Sequence, residues 1–535
     1  MAPKPLPARS NLEQYKKQAK ELLKLCHAAD AESMRRVREN HPRFSNVADA
    51  GLRNARLTLA DAQLVVAREH GFESWPKFAK RIEVINSEIA ALANPLAAFI
   101  EAAIWHGTLE AADAILVAHP EIARSSIHAA AILGDDAAVS RLIAAEPRNV
   151  MKKEAPYDGD ALAYLCLSRY LRLDKTRSDA FVRAAKALLD AGADPNTGLW
   201  SKDEHHEFET ALYGAAGVAH HAELTRLLLE RGADPNDEET PYHSPESYEN
   251  SAVRALVESG KLSAESLTTM LLRKADMHDY EGMKYLLEHG ADPNRMTRWK
   301  FTTLHQALRR DNDIKNIELM LEHGADPLLK NELDGRSGVA MAKRRGRGDV
   351  LGAFARRGFS LEGEGVEIFI SAACATNAVA AGRYIAGVST HLLPELLAEG
   401  GKLLAEFAGN DVVEGVRMFL DLGVPVDARY GGDPYFDIAK DSTALHVAAW
   451  RAWPKTVKLL IERGAQVNAV DAKGRTPLML AVKACVDSYW TNRRSPESVE
   501  ALLRAGASVS GVEVPSGYAE VDELLQSHGK LRKES

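Results

Sequence analysis

The stretch from Asp441 to Leu480 reads DSTALHVAAWRAWPKTVKLLIERGAQVNAVDAKGRTPLML, and no other part of the chain constrains the fold as tightly. Thr443 stands where a hydroxyl can accept a bond from a free first-turn N–H of a helix beginning at Ala444. Leu445, Ala448 and Ala449 give that helix a narrow apolar side. Pro454 falls in the first turn of a second helix, where its missing N–H costs nothing. Val457, Leu459, Leu460 and Ile461 form the apolar stripe, and Gly464 ends the helix where left-handed backbone is needed. From Val467 to Gly474 the chain reaches out, turns and returns to Thr476 and Pro477, which open another helix. A unit of two short helices and a finger cannot bury its two small faces alone, so it must stack on copies of itself.

The copies can be followed in both directions. LLDAGADPN ends at Gly192, LLLERGADPN at Gly232, YLLEHGADPN at Gly290 and LMLEHGADP at Gly324. Weaker versions end near His119, Glu146, Gly260, Gly358, Gly387, Gly423 and Gly506, which gives about twelve units with VDELLQSHG as a shortened cap. The openings ETALYGAA, TTLHQAL, STALHVAA and RTPLMLA agree with those ends, and SSIHAAAILGD is a looser version. Residues 361–400 fit the unit least well.

TALHVAA…VKLLIERGAQVNAVDAKGRTPL resembles the ankyrin repeat. The resemblance implies an all-α solenoid of helix pairs with short finger loops, and a rigid scaffold for protein–protein contact. Residues 1–93 do not repeat. The expected division is a basic helical N-terminal domain over 1–93 and a repeat array with its cap over 94–535. Within the first part the pattern predicts helices from Leu12 to about His27, capped by Asn11 or Ser10, from Asp30 to Glu39, from Leu59 to His70, and from about Pro76 onward, with Trp75 and Phe78 as core anchors. LADAQLVVAREHGFESWPKF resembles a short helical module at the start of some bacterial ankyrin-repeat proteins, and that likeness implies no activity.

Composition narrows the function classes. Cys26, Cys166, Cys374 and Cys485 lie far apart with no CxxC spacing, so neither a disulfide framework nor a zinc site is expected, and a reducing, cytoplasmic setting fits. The opening MAPKPLPARSNLEQYKK lacks the apolar core of a signal peptide, and no long uncharged apolar run suggests a membrane span. Residues 1–90 hold 16 Lys and Arg against 11 Asp and Glu, whereas the rest of the chain holds 51 against 64. Two modules with different solvated surfaces account for that imbalance.

No phosphate-binding loop, dinucleotide fingerprint, nucleophile elbow or paired-His pattern occurs, so no catalytic residue, cofactor or metal is expected. His128, His305 and His446 hold equivalent positions in non-adjacent units, and since even stacked neighbours stand about a helix spacing apart, roughly 10 Å, they read as imidazoles bridging backbone groups between fingers and not as shared metal ligands. HHEFE at 205–209 lies in a finger insertion and reads as solvated, as does the basic run KRRGRG at 343–348; Arg347-Gly348-Asp349 inside it is a coincidental tripeptide.

Four insertions depart from uniform length: 151–180, 197–209, 427–441 and 485–498. Insertions in a stacked array map to its surface. Trp450 ends a first helix, where the side chain usually points into the concave groove, and the alternative is that it packs on the enlarged 427–441 finger. Trp453 reads as packing. A groove-facing Trp450 beside Lys473 and Arg475, with Arg309 and Lys483 at positions matching Trp450 and Tyr430, Tyr435, Tyr489 and Trp490 in the neighbouring insertions, is the expected partner surface. The reading is a non-catalytic, monomeric scaffold that binds another protein. Its rivals are an N-terminal domain that touches nucleic acid or an anionic membrane through Lys16, Lys20 and Lys24, and an enzyme or metabolite-binding regulator using an insertion such as 161–208.

Overall fold

The computed structural model describes residues 4–7, 11–45, 47, 57–202, 206–377, 379–382 and 392–534. Ser10, His205 and Gly387, named above, lie outside the described residues. The chain divides into two compact units, Met1–Asp292 and Pro293–Ser535. Among the described residues the chain is a succession of helices, with one two-stranded antiparallel ladder pairing Gly198–Trp200 with Phe208–Thr210. No described helix is long and apolar enough to cross a membrane.

The first unit begins with helices Leu12–His27, Ala31–Asn40, Leu59–Glu69 and Trp75–Ala93. Asn11, Asp30 and Thr58 accept first-turn N–H groups at the first three. Leu22, Val65, Val66, Phe78 and Ile82 close a core of their own, with Trp75 packed against it. Helix pairs follow, among them Ile127–Ile132 with Asp136–Ala145 and Ala161–Cys166 with Ser178–Asp190. The 197–209 insertion is the ladder itself, where His206 stacks on Trp200 and Glu209 is buried rather than solvated.

The second unit is built from helices labelled here in order: α1 (Thr303–Arg309), α2 (Ile314–Glu322), α3 (Gly338–Arg344), α4 (Gly348–Arg356), α5 (Val366–Cys374), α6 (Leu392–Leu396), α7 (Lys402–Gly409), α8 (Val413–Asp421), α9 (Ala444–Trp450), α10 (Pro454–Glu462), α11 (Pro477–Val486), α12 (Glu497–Arg504) and α13 (Ala519–Glu534). The repeat from 441 shows why the pattern folds as it does. Thr443 is the residue before α9, and Pro454 and Pro477 open α10 and α11. Gly464 has φ +85°, and the N–H groups of Gly464 and Ala465 close back onto Ile461 O and Leu460 O, both at 3.0 Å. A side chain built on Gly464 would meet nothing within 4 Å, so the requirement there is backbone conformation and not space. In the finger, buried Asp471 accepts the N–H groups of Lys473 and Arg475 at 2.9 Å each.

The equivalent histidines tie the fingers to the helices. Thr302 and Thr443 each donate a backbone N–H to Nδ1 of His305 and His446 at 3.2 Å, which places the proton on Nε2. Nε2 then donates to Leu329 O and Arg475 O, both at 3.1 Å, and His128 reaches Lys152 O at 2.7 Å. Burial depresses all three imidazoles below their ordinary range, His446 to about 4.

The irregular span 361–400 has a physical consequence. Helix α5 packs between α3 on one side and α8 on the other, while α3 and α7 meet directly. A Cβ at Gly415 of α8 would lie 2.9 Å from Ala373 O of α5 and 2.6 Å from the Phe407 ring, so only glycine permits this approach. With α5 held against α8, the ends of α3 and α7 come together. Asn410 Nδ2 donates to Arg345 O at 2.9 Å, and Arg345 pairs with Glu406 at 3.2 Å.

Candidate functional site: a cationic recess in the second unit

The meeting of α3 and α7 leaves a recess of about 590 Å³, bounded by Phe301, the end of α1, the 331–336 finger, the end of α3, the 399–406 turn and helix, and the 430–434 part of the enlarged finger. Its floor is a buried ion network. Asp311, just after α1, is gripped by Arg345 at 2.7 Å and by Arg451, which follows α9. Burial would raise the Asp311 carboxyl, but Arg345 and Arg451 hold it down at about 2. Burial wins at Glu406, whose carboxyl lies above its ordinary range despite Arg345.

The walls are more accessible. Glu399, in the turn between α6 and α7, accepts from Arg336, from Arg344 at 3.3 Å and from Lys402 at 2.7 Å. Although burial pushes its carboxyl up, the bonds from Lys402 and Arg336 hold it at about 2. On the opposite wall, guanidinium groups lie over rings, Arg309 over Phe301 at 4.7 Å and Arg310 over Tyr435 at 3.5 Å. Six lysines and arginines and four acids line the recess, and His305 beside them is held neutral by burial. Such a wall can bind an anion and orient it by bidentate hydrogen bonds.

Trp450 is not an exposed anchor. Only 2 % of it is accessible; its indole N–H donates to Phe436 O at 2.6 Å, and it shares a core cluster with Tyr430, Phe436 and Ile438. The enlarged finger folds over the end of α9 and removes from water the ring that a short finger would leave bare. Tyr430 is therefore core as well, although part of it faces the recess. Arg475 is spent on the frame, bonded to Asp471 and Asp437. Lys473 and Lys483 converge on the same Asp437 carboxylate, and Lys483 lies 5.3 Å from the Trp450 ring. Tyr489, 65 % exposed, stacks on Tyr435, and half-buried Trp490 packs on Phe436. Trp453 donates its indole N–H to Gly409 O at 2.7 Å and lies under Arg493. Of the nine residues singled out from sequence, Arg309 and Tyr430 line the recess, and Tyr435 adjoins it through Arg310.

The basic run 343–348 overturns the reading of a solvated loop. Lys343, Arg345 and Arg347 are buried; Lys343 donates to Leu361 O at 2.7 Å, and Arg347 donates to Asn312 O at 3.0 Å and pairs with Asp349. Carbonyls of Leu361 and Asn312, and the nearby Asp349 carboxylate, replace water there.

A family model for ankyrin repeats matches residues 398–511 in three copies, a span that covers α7 to α12. Residues 398–511 are therefore ankyrin repeats. Over 84 residues it is 38% identical to serine/threonine-protein kinase 12 of Arabidopsis thaliana, a match covering 16% of this chain and 17% of that one. Over 142 residues it is 28% identical to an ankyrin repeat protein of Rickettsia bellii, covering 24% and 55%. The chain thus spans about a sixth and about half of the length of these two relatives. Among solved structures, the human ASB11 ankyrin repeat domain aligns with a TM-score of 0.21 and 21% identity, over 44% of this chain and 98% of that one. Ankyrin repeats are in general protein–protein interaction modules, and the fold is typically non-catalytic.

Sequence reasoning missed Arg336, Arg344, Glu399 and Lys402. Arg344 lay inside a run read as solvated, and Glu399 and Lys402 lie at or just beyond the end of the stretch where the ankyrin pattern is weakest. The one available signal was the density of Arg and Lys at successive first-helix ends, 309–310 and 343–345.

Proposed function

We propose that this protein is a non-catalytic ankyrin-repeat scaffold whose second unit docks a segment of another protein in the cationic recess. One observation carries the reading: first-helix ends and finger residues, the two elements an ankyrin-type array presents for contact, converge there on an accessible cavity with its walls already ordered by ion pairs and ring stacking. A preformed surface avoids much of the ordering cost of association.

Two further parts of the reading have their own support. Residues 1–93 are a helical domain, supported by the closed core around Phe78. The protein works as a monomer in the cytoplasm, a setting that suits four free, buried cysteines.

The test compares the full chain with the Arg309→Glu, Arg310→Glu double variant as immobilised bait. Proteins retained only by the parent chain are identified, purified and remixed with it in sedimentation velocity. A complex that forms with the parent chain and is weakened at least about tenfold by the double variant, as expected for reversed charges at an interface, supports the reading. If no protein is retained differentially, or none reassembles from pure components, the recess is not a docking surface.

A further inference from the structure

The recess already holds a carboxylate, and that occupant points to what a partner would bring. Glu399 reaches the wall from a turn, not from a packed helix, and about a third of its side chain is exposed. Three cations on separate elements converge on it: Arg336 from the finger, Arg344 from α3 and Lys402 from α7. The other acids of the lining are committed elsewhere. Glu406 is paired with Arg345 on the floor, Asp334 accepts from Asn331 and from both the backbone and the guanidinium of Arg336 within its own finger, and Asp433 accepts the N–H of Tyr435 in its own turn. Glu399 is the acid that Arg336, Arg344 and Lys402 share, while Arg336 also bonds Asp334 at 3.1 Å and Arg344 bonds Glu367 at 2.7 Å; a carboxylate from outside could take the shared place.

Resting on the scaffold reading above, we propose that the recess recognises an acidic segment of the partner protein, one of whose Asp or Glu carboxylates takes the place of Glu399 between Arg336, Arg344 and Lys402. Charge favours such a ligand locally, in a chain whose net charge is −8. The stacked guanidiniums of Arg309 and Arg310 add two further cations on the opposite wall. Phe301, Leu333 and Pro434 add apolar surface to the lining. Apolar residues flanking the acid would cover them, whereas a free phosphate would leave them wet. The volume lies in the range that encloses a short segment or a drug-sized molecule.

The experiment is fluorescence anisotropy on the full chain with a fluorescein-labelled peptide of alternating Glu and Leu. A Gln–Leu peptide of the same length and a phosphoserine–Leu peptide serve as comparisons, and inorganic phosphate as a competitor. The Glu peptide is expected to bind at least about tenfold more tightly than the Gln peptide, the gap expected of a charge-assisted pair. Arg336→Gln should weaken it by about the same factor, and Glu399→Gln, which removes the internal competitor, should tighten it several-fold. Helix content and thermal midpoint are followed for each variant, and Glu399→Gln provides the decisive sign because misfolding cannot produce a gain. Equal binding of the Glu and Gln peptides, or no gain on Glu399→Gln, overturns the proposal. Preference for the phosphoserine peptide, or displacement by phosphate, also overturns it, since the ligand would then be a phosphate. A captured partner that neither the Glu peptide nor Glu399→Gln affects would sink this inference while leaving the scaffold standing. Absence of any partner would sink the scaffold while the peptide result still stands on its own.

Discussion

Two lysine- and arginine-containing stretches of the second unit meet opposite fates. Lys473 stands on a finger with 59 % of its side chain in water and pairs with Asp437, whereas Lys343, Arg345 and Arg347 lie buried among carbonyls and carboxylates. The sequences look alike as basic runs. What differs is the surroundings: Lys473 reaches Asp437 of the enlarged finger from the exposed tip of its own, while at Arg345 two first-helix ends close on each other. Charge in a stacked array is structural or free according to how closely the next unit approaches.

That comparison breaks if the buried cation is dispensable. Arg345→Ala removes the guanidinium that pairs with Glu406 and one of the two that grip Asp311, and should cost about 3–5 kcal/mol, read as a fall in the urea midpoint of the helical circular-dichroism signal. Leu459→Ala, in the regular repeat, sets the scale for an ordinary core truncation at about 2–4 kcal/mol in the same measurement. A loss at Arg345 smaller than that at Leu459 would mean that water, not protein, solvates the run.

His446 sharpens the comparison through pH. Burial keeps the folded imidazole neutral down to about pH 4, while in the unfolded chain it takes up a proton near 6.5. The unfolded state binds that proton first, so the contribution is complete above about pH 6.5 and is lost as pH falls toward 4. At pH 4.5 the loss is about 2–3 kcal/mol, and His446→Gln should show a correspondingly shallower decline in stability between pH 7 and 4.5. The smallest effect belongs to the exposed partner: Lys473→Ala should move stability by less than about 0.5 kcal/mol.

Much of the frame was legible in the residues. Thr443, Pro454, Gly464 and Pro477 mark helix boundaries because each acts on its own turn, and the four helices from Leu12 to beyond Phe78 lie within a residue or so of their expected starts. The site was not legible in the same way. For Trp450 the repeat pattern left two places open, the groove and the enlarged 427–441 finger, and the bond from its indole N–H to Phe436 O puts it in the second. Arg345 looked solvated because nothing near it in sequence announces Asp311 or Glu406. Contacts made across units depend on how closely helices approach, and that distance is set by α5 and Gly415 in the least regular part of the chain.

The bond from Arg451 to Asp311 joins residues 140 positions apart, in an architecture whose units ordinarily feel only those next to them. It works as a clasp. Fraying that starts at the C-terminal helices and reaches α9 must also break this contact with the residue just after α1. The ends of α1 and α9 are thereby tied to each other directly, beneath the recess that Arg345 and Glu406 line.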